Sequence, residues 1–219
     1  PQGTVQLGNG LMFVNASGND EIVRVLPNGT HRTFVALPVP SGATLVDLIF
    51  DPPRGLLASM LAAPITIAAP IWQVGLNGDA TEIAAVAGFP TFLALDAAGR
   101  VHVAQAGGDV VRVEFDGSMT TVVDANPPNT RLRGITFDDQ GRLYVLSSGE
   151  TPFKTRIRRF DLATAASLPV PLADGELVTD ALPTPPATHP IEDLTFWPRQ
   201  GGGDLFTVDA GNVYRVKLD

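Results

Sequence analysis

Five successive stretches of the chain repeat one layout, and this repetition limits the fold more than any other feature of the sequence. Each stretch has an apolar strand, a short turn that often contains Gly, an alternating strand, a loop and a third strand. The first strands end at about Leu7, Asp51, Asp96, Asp138 and Trp197, at spacings of roughly 44, 45, 42 and 59 residues. Such a period predicts a repeat architecture. The longer last spacing indicates an insertion in the fourth stretch, in the Pro-rich segment 163–190.

The local pattern within each stretch is that of β-strands. Apolar residues alternate with other residues along 100–105 and 142–147, a period of two that is typical of strands. The turns DAAG, DDQG and DPPRG contain Asp and Gly, which tolerate the backbone angles of a tight reversal. No stretch of a dozen residues has a helical period with caps. The sequence therefore predicts an all-β chain of repeated antiparallel meanders.

Meanders of this kind cannot bury both faces alone, whereas radial packing covers each sheet with its neighbours. We predict a single β-propeller domain over 1–219, with five blades favoured and six if upstream sequence is missing. The blades are predicted at about 3–37, 44–87, 88–124, 130–182 and 190–219. The fourth strands are predicted at 31–37, 80–86 and 119–123, and in the fourth blade at either 168–172 or 176–182. The last blade stops after its third strand, and its open edge favours self-association.

The composition restricts the class of function. Hydrophobic residues make up 44% of the chain and charged residues 17%, which is typical of a globular domain and not of a disordered one. The net charge of −8 argues against a nucleic-acid partner. Because there are no cysteines, disulfides, thiolate metal sites and Cys nucleophiles are excluded. The uncharged stretch 55–72 is interrupted by Pro64 and Pro70, so no membrane span is expected.

Two segments resemble a known repeat family. Residues 135–145, ITFDDQGRLYV, and 93–103, LALDAAGRVHV, resemble NHL-type repeats and are similar also to gluconolactonase-like and strictosidine-synthase-like propellers. The resemblance covers nearly the whole chain and implies the blade architecture. Since one propeller fold supports many activities, it implies no single function.

One face of such a propeller is the usual binding surface, because the loops entering the first strands and those between second and third strands meet there. The residues predicted to close the second strands are Asn15, Met60, Gln105, Ser147 and Asp209. Those predicted early in the first strands are Asp47, Phe92, Gly134 and Asp193, with Arg133 and Glu192 one residue earlier. We predict binding roles for Asn15, Gln105, Ser147, Asp209 and Arg133.

Three acidic residues predict a site for a divalent cation, Ca²⁺ or Zn²⁺, with Asp47, Glu192 and Asp193 as ligands. Hard cations need several oxygen ligands, which different blades can supply together. The gluconolactonase-like resemblance implies that this metal activates water against a lactone or ester, with His189 as the candidate catalytic base. That family's Asn-containing segments are not recognisable here. The alternative is that these acids bind backbone N–H groups at strand starts.

The loop 61–70 favours a binding role instead. It reads LAAPITIAAP and carries Ile65 and Ile67 at its centre. Because loops normally face water, it either covers the channel mouth or forms a patch for a partner. The main prediction is an NHL-like binding module, extracellular or periplasmic, that presents one face to a protein, glycan or small molecule. A metal-dependent lactonase or esterase is the alternative, and a propeller lyase or isomerase is the third.

Overall fold

A computed structural model describes most of the chain. The described residues are 3–16, 20–38, 43–61, 68–87, 89–105, 107–125, 130–150, 154–182, 192–200, 202–209 and 212–218. They divide into two compact units, residues 1–93 and 94–219. The single domain predicted from the sequence stays a prediction.

The described residues form five sheets, and each sheet follows one of the sequence repeats. The first contains β1 (Thr4–Gln6), β2 (Met12–Ala16), β3 (Glu21–Val25) and β4 (His31–Ala36). The second contains β5 (Thr44–Asp51), β6 (Gly55–Leu61), β7 (Ala69–Val74) and β8 (Ala80–Val86). The third contains β9 (Pro90–Leu95), β10 (Val101–Gln105), β11 (Val110–Val113) and β12 (Met119–Asp124). The boundary between the two units falls inside β9.

The fourth sheet contains β13 (Arg131–Phe137), β14 (Leu143–Glu150), β15 (Lys154–Phe160) and β17 (Glu176–Leu182). The two-residue strand β16 (Val170–Pro171) lies between β15 and β17 in the chain but is not part of this sheet. The fifth contains β18 (Glu192–Arg199), β19 (Gly202–Val208) and β20 (Val213–Leu218). Within each sheet, strands that follow one another in the chain pair antiparallel. The chain is therefore an all-β, five-bladed β-propeller whose last blade has three described strands, which confirms the predicted fold class.

The strand pairing decides which of the two candidate segments, 168–172 or 176–182, is the outer strand of the fourth blade. β17 pairs with β15 and completes the fourth sheet. β16 instead pairs parallel with β12, the outer strand of the third sheet, through Val123↔Val170 and Asp124↔Pro171. A short 3-10 helix, Leu172–Asp174, joins β16 to β17. The segment 161–175 is called the insertion below, and it connects the outer edges of two adjacent blades.

The core of each unit follows from the period of two along its strands. In the first unit, Phe13, Leu45, Leu56 and Met60 are buried in one cluster with Trp72. In the second unit, a cluster forms from Tyr144, Leu146, Ile157, Leu194 and Leu205. No helix within the described ranges is long and apolar enough to cross a membrane.

Candidate functional site

Asn15 lies near the end of β2 and joins the first blade to the second. Its side chain is fully buried. Its Oδ1 accepts a hydrogen bond from Gly3 N at 3.0 Å, and its Nδ2 donates to Val46 O at 3.0 Å and to Leu45 O at 3.5 Å. Since β5 carries both of those carbonyls, the amide acts as a clasp between blades. The binding role predicted for Asn15 stays a prediction.

Asp47 makes the corresponding connection from the second blade to the third. Its carboxylate is buried, with Oδ1 accepting from Leu48 N at 2.7 Å and Oδ2 from Leu93 N at 2.8 Å. Ser59 lies opposite Asp47 in the sheet, accepts from Asp47 N at 3.2 Å and donates to Thr91 O at 2.7 Å. Both oxygens of Asp47 therefore hold backbone N–H groups, as the alternative interpretation of the acids describes.

Asp193, near the start of β18, has a backbone conformation that few residues other than Gly adopt. Its φ is +62°, in the left-handed region that costs an L-residue roughly 1–2 kcal/mol. Its Oδ1 accepts from Leu194 N at 2.7 Å, and its carbonyl oxygen accepts from Thr207 Oγ1 at 2.7 Å. Two neighbours thus fix the residue on both its side-chain and main-chain oxygens.

The electrostatic environment of Asp193 is also unusual. Burial raises the pKa of its carboxyl group, and the hydrogen bond from Leu194 opposes that rise without cancelling it. No cationic side chain in the described part of the chain contributes to the pKa of this group. A half-buried carboxylate without a counter-charge favours a proton or a cation as its partner.

The other predicted binding residues lie at hairpins and strand pairs. Ser147 is fully buried in β14 opposite Leu132, and Arg133 Nε donates to Ser148 Oγ at 3.3 Å. Gln105 ends β10, where its N–H donates to Asp109 O at 2.8 Å. Asp209 accepts from Asn212 N at 2.9 Å and from Tyr214 Oη at 2.6 Å, and that contact raises the pKa of Tyr214. Their binding roles stay predictions.

Several predicted site residues fall where the structure gives no description. Ile65, Ile67 and His189 lie outside the described residues, and of Glu192 only the backbone is described. Asp47 belongs to the first unit and Asp193 to the second, so each is described within its own unit. Among the described side chains, no three His, Cys, Asp or Glu residues form a group that could hold a metal ion.

Comparison with known proteins yields likeness in structure only. No family model and no curated protein matches the sequence. Among solved structures, regucalcin, a calcium-binding protein from Agrobacterium tumefaciens, is 15% identical with a TM-score of 0.68, over 95% of this chain and 68% of that one. A gluconolactonase from Xanthomonas campestris is 16% identical with a TM-score of 0.67, over 99% and 71%. Virginiamycin B lyase from Staphylococcus aureus is 14% identical with a TM-score of 0.56, over 100% and 84%.

The chain has a β-propeller fold similar to that of these solved structures. The likeness confirms the resemblance to gluconolactonase-like propellers that residues 93–103 and 135–145 indicated. It does not extend to the NHL-type repeats, for which no family model matches, so that part stays a prediction. Because the matched structures include a calcium-binding protein, a hydrolase and a lyase, the propeller fold alone does not select one chemistry.

The residues of this propeller differ in how well they suit a divalent cation. Asp193 is suited, because Oδ2 makes no hydrogen bond among the described residues and the carboxylate has no cationic neighbour there. Asp47 is less suited, because a backbone N–H occupies each of its two oxygens. A hard cation needs six or so oxygen ligands, and the described side chains alone do not form such a set.

The strand register reveals polar residues that sequence reasoning missed. The sequence predicted Met60 near the end of the second strand, whereas its neighbour Ser59 is the residue that bonds the next blade. The register of the sheet shifts between Leu45 and Asp47, which places Ser59 opposite Asp47. Sequence reasoning also missed Thr207, which contacts Asp193. A repeated Asp-x-x-Gly-Arg turn, DAAGR and DDQGR, is the sequence signal that marks a further cluster described below.

Proposed function

We propose that this propeller hydrolyses a lactone or an ester and that Asp193 is its essential carboxylate. The support comes from the likeness to a gluconolactonase of known structure together with the conformation and surroundings of Asp193. Among the described residues, the half-buried Asp193 carboxylate has no cationic neighbour and its Oδ2 makes no hydrogen bond; this is the single observation of the structure on which the proposal depends.

Burial raises the pKa of the Asp193 carboxyl group because its negative charge has no partner among the described residues, and a bound cation would compensate that charge. In hydrolysis the water oxygen bonds to the carbonyl carbon, the ester C–O bond breaks, and the proton of the water passes to the departing oxygen.

A divalent cation, Ca²⁺ or Zn²⁺, is part of this proposal, with Asp193 and Glu192 as carboxylate ligands. When bound, such an ion polarises the carbonyl group and lowers the pKa of a coordinated water. His189, three residues before Glu192 in the chain, is the proposed base. Asp47 is left out of the ligand set because its oxygens hold Leu48 and Leu93.

The test compares Asp193→Asn with Asp20→Asn. Asn tolerates the left-handed region as Asp does, so Asp193→Asn removes the charge and keeps the backbone. Asp20 is the matched control because its φ is +55°. With a panel of sugar lactones, simple lactones and aryl esters, we expect Asp193→Asn to lower kcat/KM by about a hundredfold or more. Asp20→Asn should keep kcat/KM within about twofold of wild type. An equal loss of kcat/KM in both variants would instead indicate that the substitutions reduce stability.

The metal is tested in the same assay. Treatment with a chelator should abolish hydrolysis, and added Ca²⁺ or Zn²⁺ should restore it in the wild type and not in Asp193→Asn. An unreactive wild type on the whole panel, or full activity of Asp193→Asn, would contradict the proposal. Binding of a protein, glycan or small molecule through the loop 61–70 stays a prediction, since residues 62–67 lie outside the described part of the chain.

A further inference from the structure

A cavity of about 450 Å³ lies in the second unit, between the fourth blade and its insertion. Its size falls within the range of small-molecule sites in proteins, about 300–1,000 Å³. The charged residues that line it are Arg142, Arg159, Asp161, Asp174 and Glu176. The cavity therefore offers both hydrogen-bond donors and acceptors around one space.

Arg142 is held in place on the wall of this cavity. Its Nε donates to Asp138 Oδ2 at 2.6 Å, and Asp138 Oδ1 accepts from Gln140 N at 3.0 Å and Arg142 N at 2.9 Å. Burial opposes the charge on Asp138, but the bonds from Arg142 and Gln140 outweigh it and lower the pKa of that carboxyl group. The Nη groups of Arg142 have no protein acceptor in the described residues, so the guanidinium is oriented with donors left for a ligand.

A hydrogen-bonded chain fixes the second guanidinium. Tyr144 is fully buried and its hydroxyl donates to Asp138 Oδ2 at 3.2 Å. Arg159 faces Tyr144 across β14 and β15, the Tyr144 hydroxyl helps to raise the pKa of the Arg159 guanidinium, and Arg159 Nε donates to Glu176 Oε2 at 3.1 Å. Both arginines thus have carboxylate partners, Asp138 and Glu176, that restrict their side chains, which reduces the side-chain entropy lost when a ligand binds.

The opposite wall, formed by the insertion, is anchored at several points. Arg158 Nη1 donates to Ala173 O at 3.3 Å and to Gly175 O at 3.0 Å. Leu172 is buried, and Gly175 lies so close to the Phe160 ring that a Cβ there would be 2.3 Å from Cζ. The cavity is preformed because neither wall depends on a ligand for its contacts.

The balance of charges indicates the kind of ligand. Two guanidinium groups and three carboxylates line the cavity, and Asp161, Asp174 and Glu176 are exposed. The excess of carboxylates disfavours an anion, and the oriented Arg142 disfavours an organic cation. A hydroxyl group both donates and accepts, and hydrogen bonds to charged partners are the stronger ones. We propose that this cavity binds a neutral polyhydroxylated small molecule about the size of a monosaccharide.

The third blade supplies an internal control because it has the same framework without an insertion of its own. Arg100 Nε donates to Asp96 Oδ2 at 2.7 Å, as Arg142 does to Asp138. His102 faces Arg112 across β10 and β11, as Tyr144 faces Arg159 across β14 and β15. Since Arg100 does not line the cavity, Arg100→Gln is a control that makes the same substitution in the same type of turn.

The experiment measures binding of D-glucose, D-galactose and D-xylose to the whole chain by ligand-observed NMR and calorimetry. We expect at least one of these sugars to bind with a millimolar Kd. Arg142→Gln should weaken that binding by about tenfold or more, the usual effect of losing a charged hydrogen-bond donor. Arg100→Gln should leave the Kd within about twofold of wild type, because a substitution distant from a site has little effect on binding there.

A second variant covers the case in which Arg142→Gln does not fold. Ala165 lines the cavity without belonging to the arginine network, so Ala165→Trp should fill the space and abolish binding with the melting temperature unchanged. D-glucuronate and putrescine serve as the anionic and cationic probes. The proposal is overturned if none of the neutral sugars binds, if only glucuronate or only putrescine binds, or if sugar binding survives Ala165→Trp. Since binding and not hydrolysis is measured, the outcome is independent of the proposed lactonase activity.

Discussion

Replacing Asn15 by Ala should destabilise the first unit by about 2–4 kcal/mol. The substitution removes the acceptor of Gly3 N and the donor to Val46 O, both at 3.0 Å. Gly3 and Val46 are themselves buried, so water cannot replace the lost partners. Each buried polar group that loses its partner costs about 1–3 kcal/mol, and some relaxation around the smaller side chain is expected. The estimate takes both groups at the lower part of that range.

The loss is measured by urea unfolding followed by tryptophan fluorescence. Trp72 is buried in the first unit and Trp197 is exposed in the second, so a Trp197→Phe background makes the signal report the first unit. The control is Asn28→Ala, which removes an exposed turn amide that accepts from Thr30 N at 3.0 Å. It should change the free energy of unfolding by less than about 1 kcal/mol. If Asn15→Ala lies within about 0.5 kcal/mol of the background protein, the clasp described for this residue is wrong.

Two further predictions concern the second unit. Gly134→Ala should lower the free energy of unfolding by about 2 kcal/mol or more, because the new Cβ would lie 2.6 Å from Asp193 C and from Leu194 N; Gly8→Ala, which meets nothing within 4 Å, should be nearly neutral when both variants are measured by thermal unfolding. Burial lowers the pKa of His102 to about 4, although the charge of Asp96 opposes this shift. As the pH falls, His102 therefore becomes protonated in the unfolded chain before it does in the folded one. The free energy of unfolding falls as a result as the pH drops from about 6.5 towards 4. Between about pH 7.5 and pH 5 the free energy of unfolding should fall by about 2 kcal/mol. This loss should vanish in His102→Tyr and persist in His31→Gln. Unfolding curves that show the same loss in both variants would contradict the prediction.

The sequence alone predicted the fold because each blade repeats the same local signals. The Asp-x-x-Gly-Arg turns at 96–100 and 138–142 close their hairpins by contacts within five residues, Asp96 Oδ1 accepting from Ala98 N and Arg100 N. The glycines of these turns, Gly99 and Gly141, have φ of +80° and +77°. Turns of this kind can be predicted from residues that are adjacent in the sequence. The repeated blades and the favoured count of five followed from such signals.

The polar residues were harder to place because their positions depend on register. A shift of one residue in a strand moves a side chain to the opposite face, and the shift between Leu45 and Asp47 places Ser59 opposite Asp47. No local signal marks that irregularity. Likewise, the sequence predicted Asp193 as a site residue but not its left-handed backbone, which depends on contacts with Leu194 and Thr207.

What the sequence determined by itself is the repeated all-β blade, its turns and the residue types available to each blade. Only the tertiary structure decided which strand the insertion joins, which oxygens of Asp47 are occupied, and that Arg142 and Arg159 line one cavity with Glu176. The physical reason is the range of the interactions. Turns and strand periods are set over a few residues, whereas a buried hydrogen bond or a cavity wall joins residues far apart in the chain and forms only after the sheets have packed.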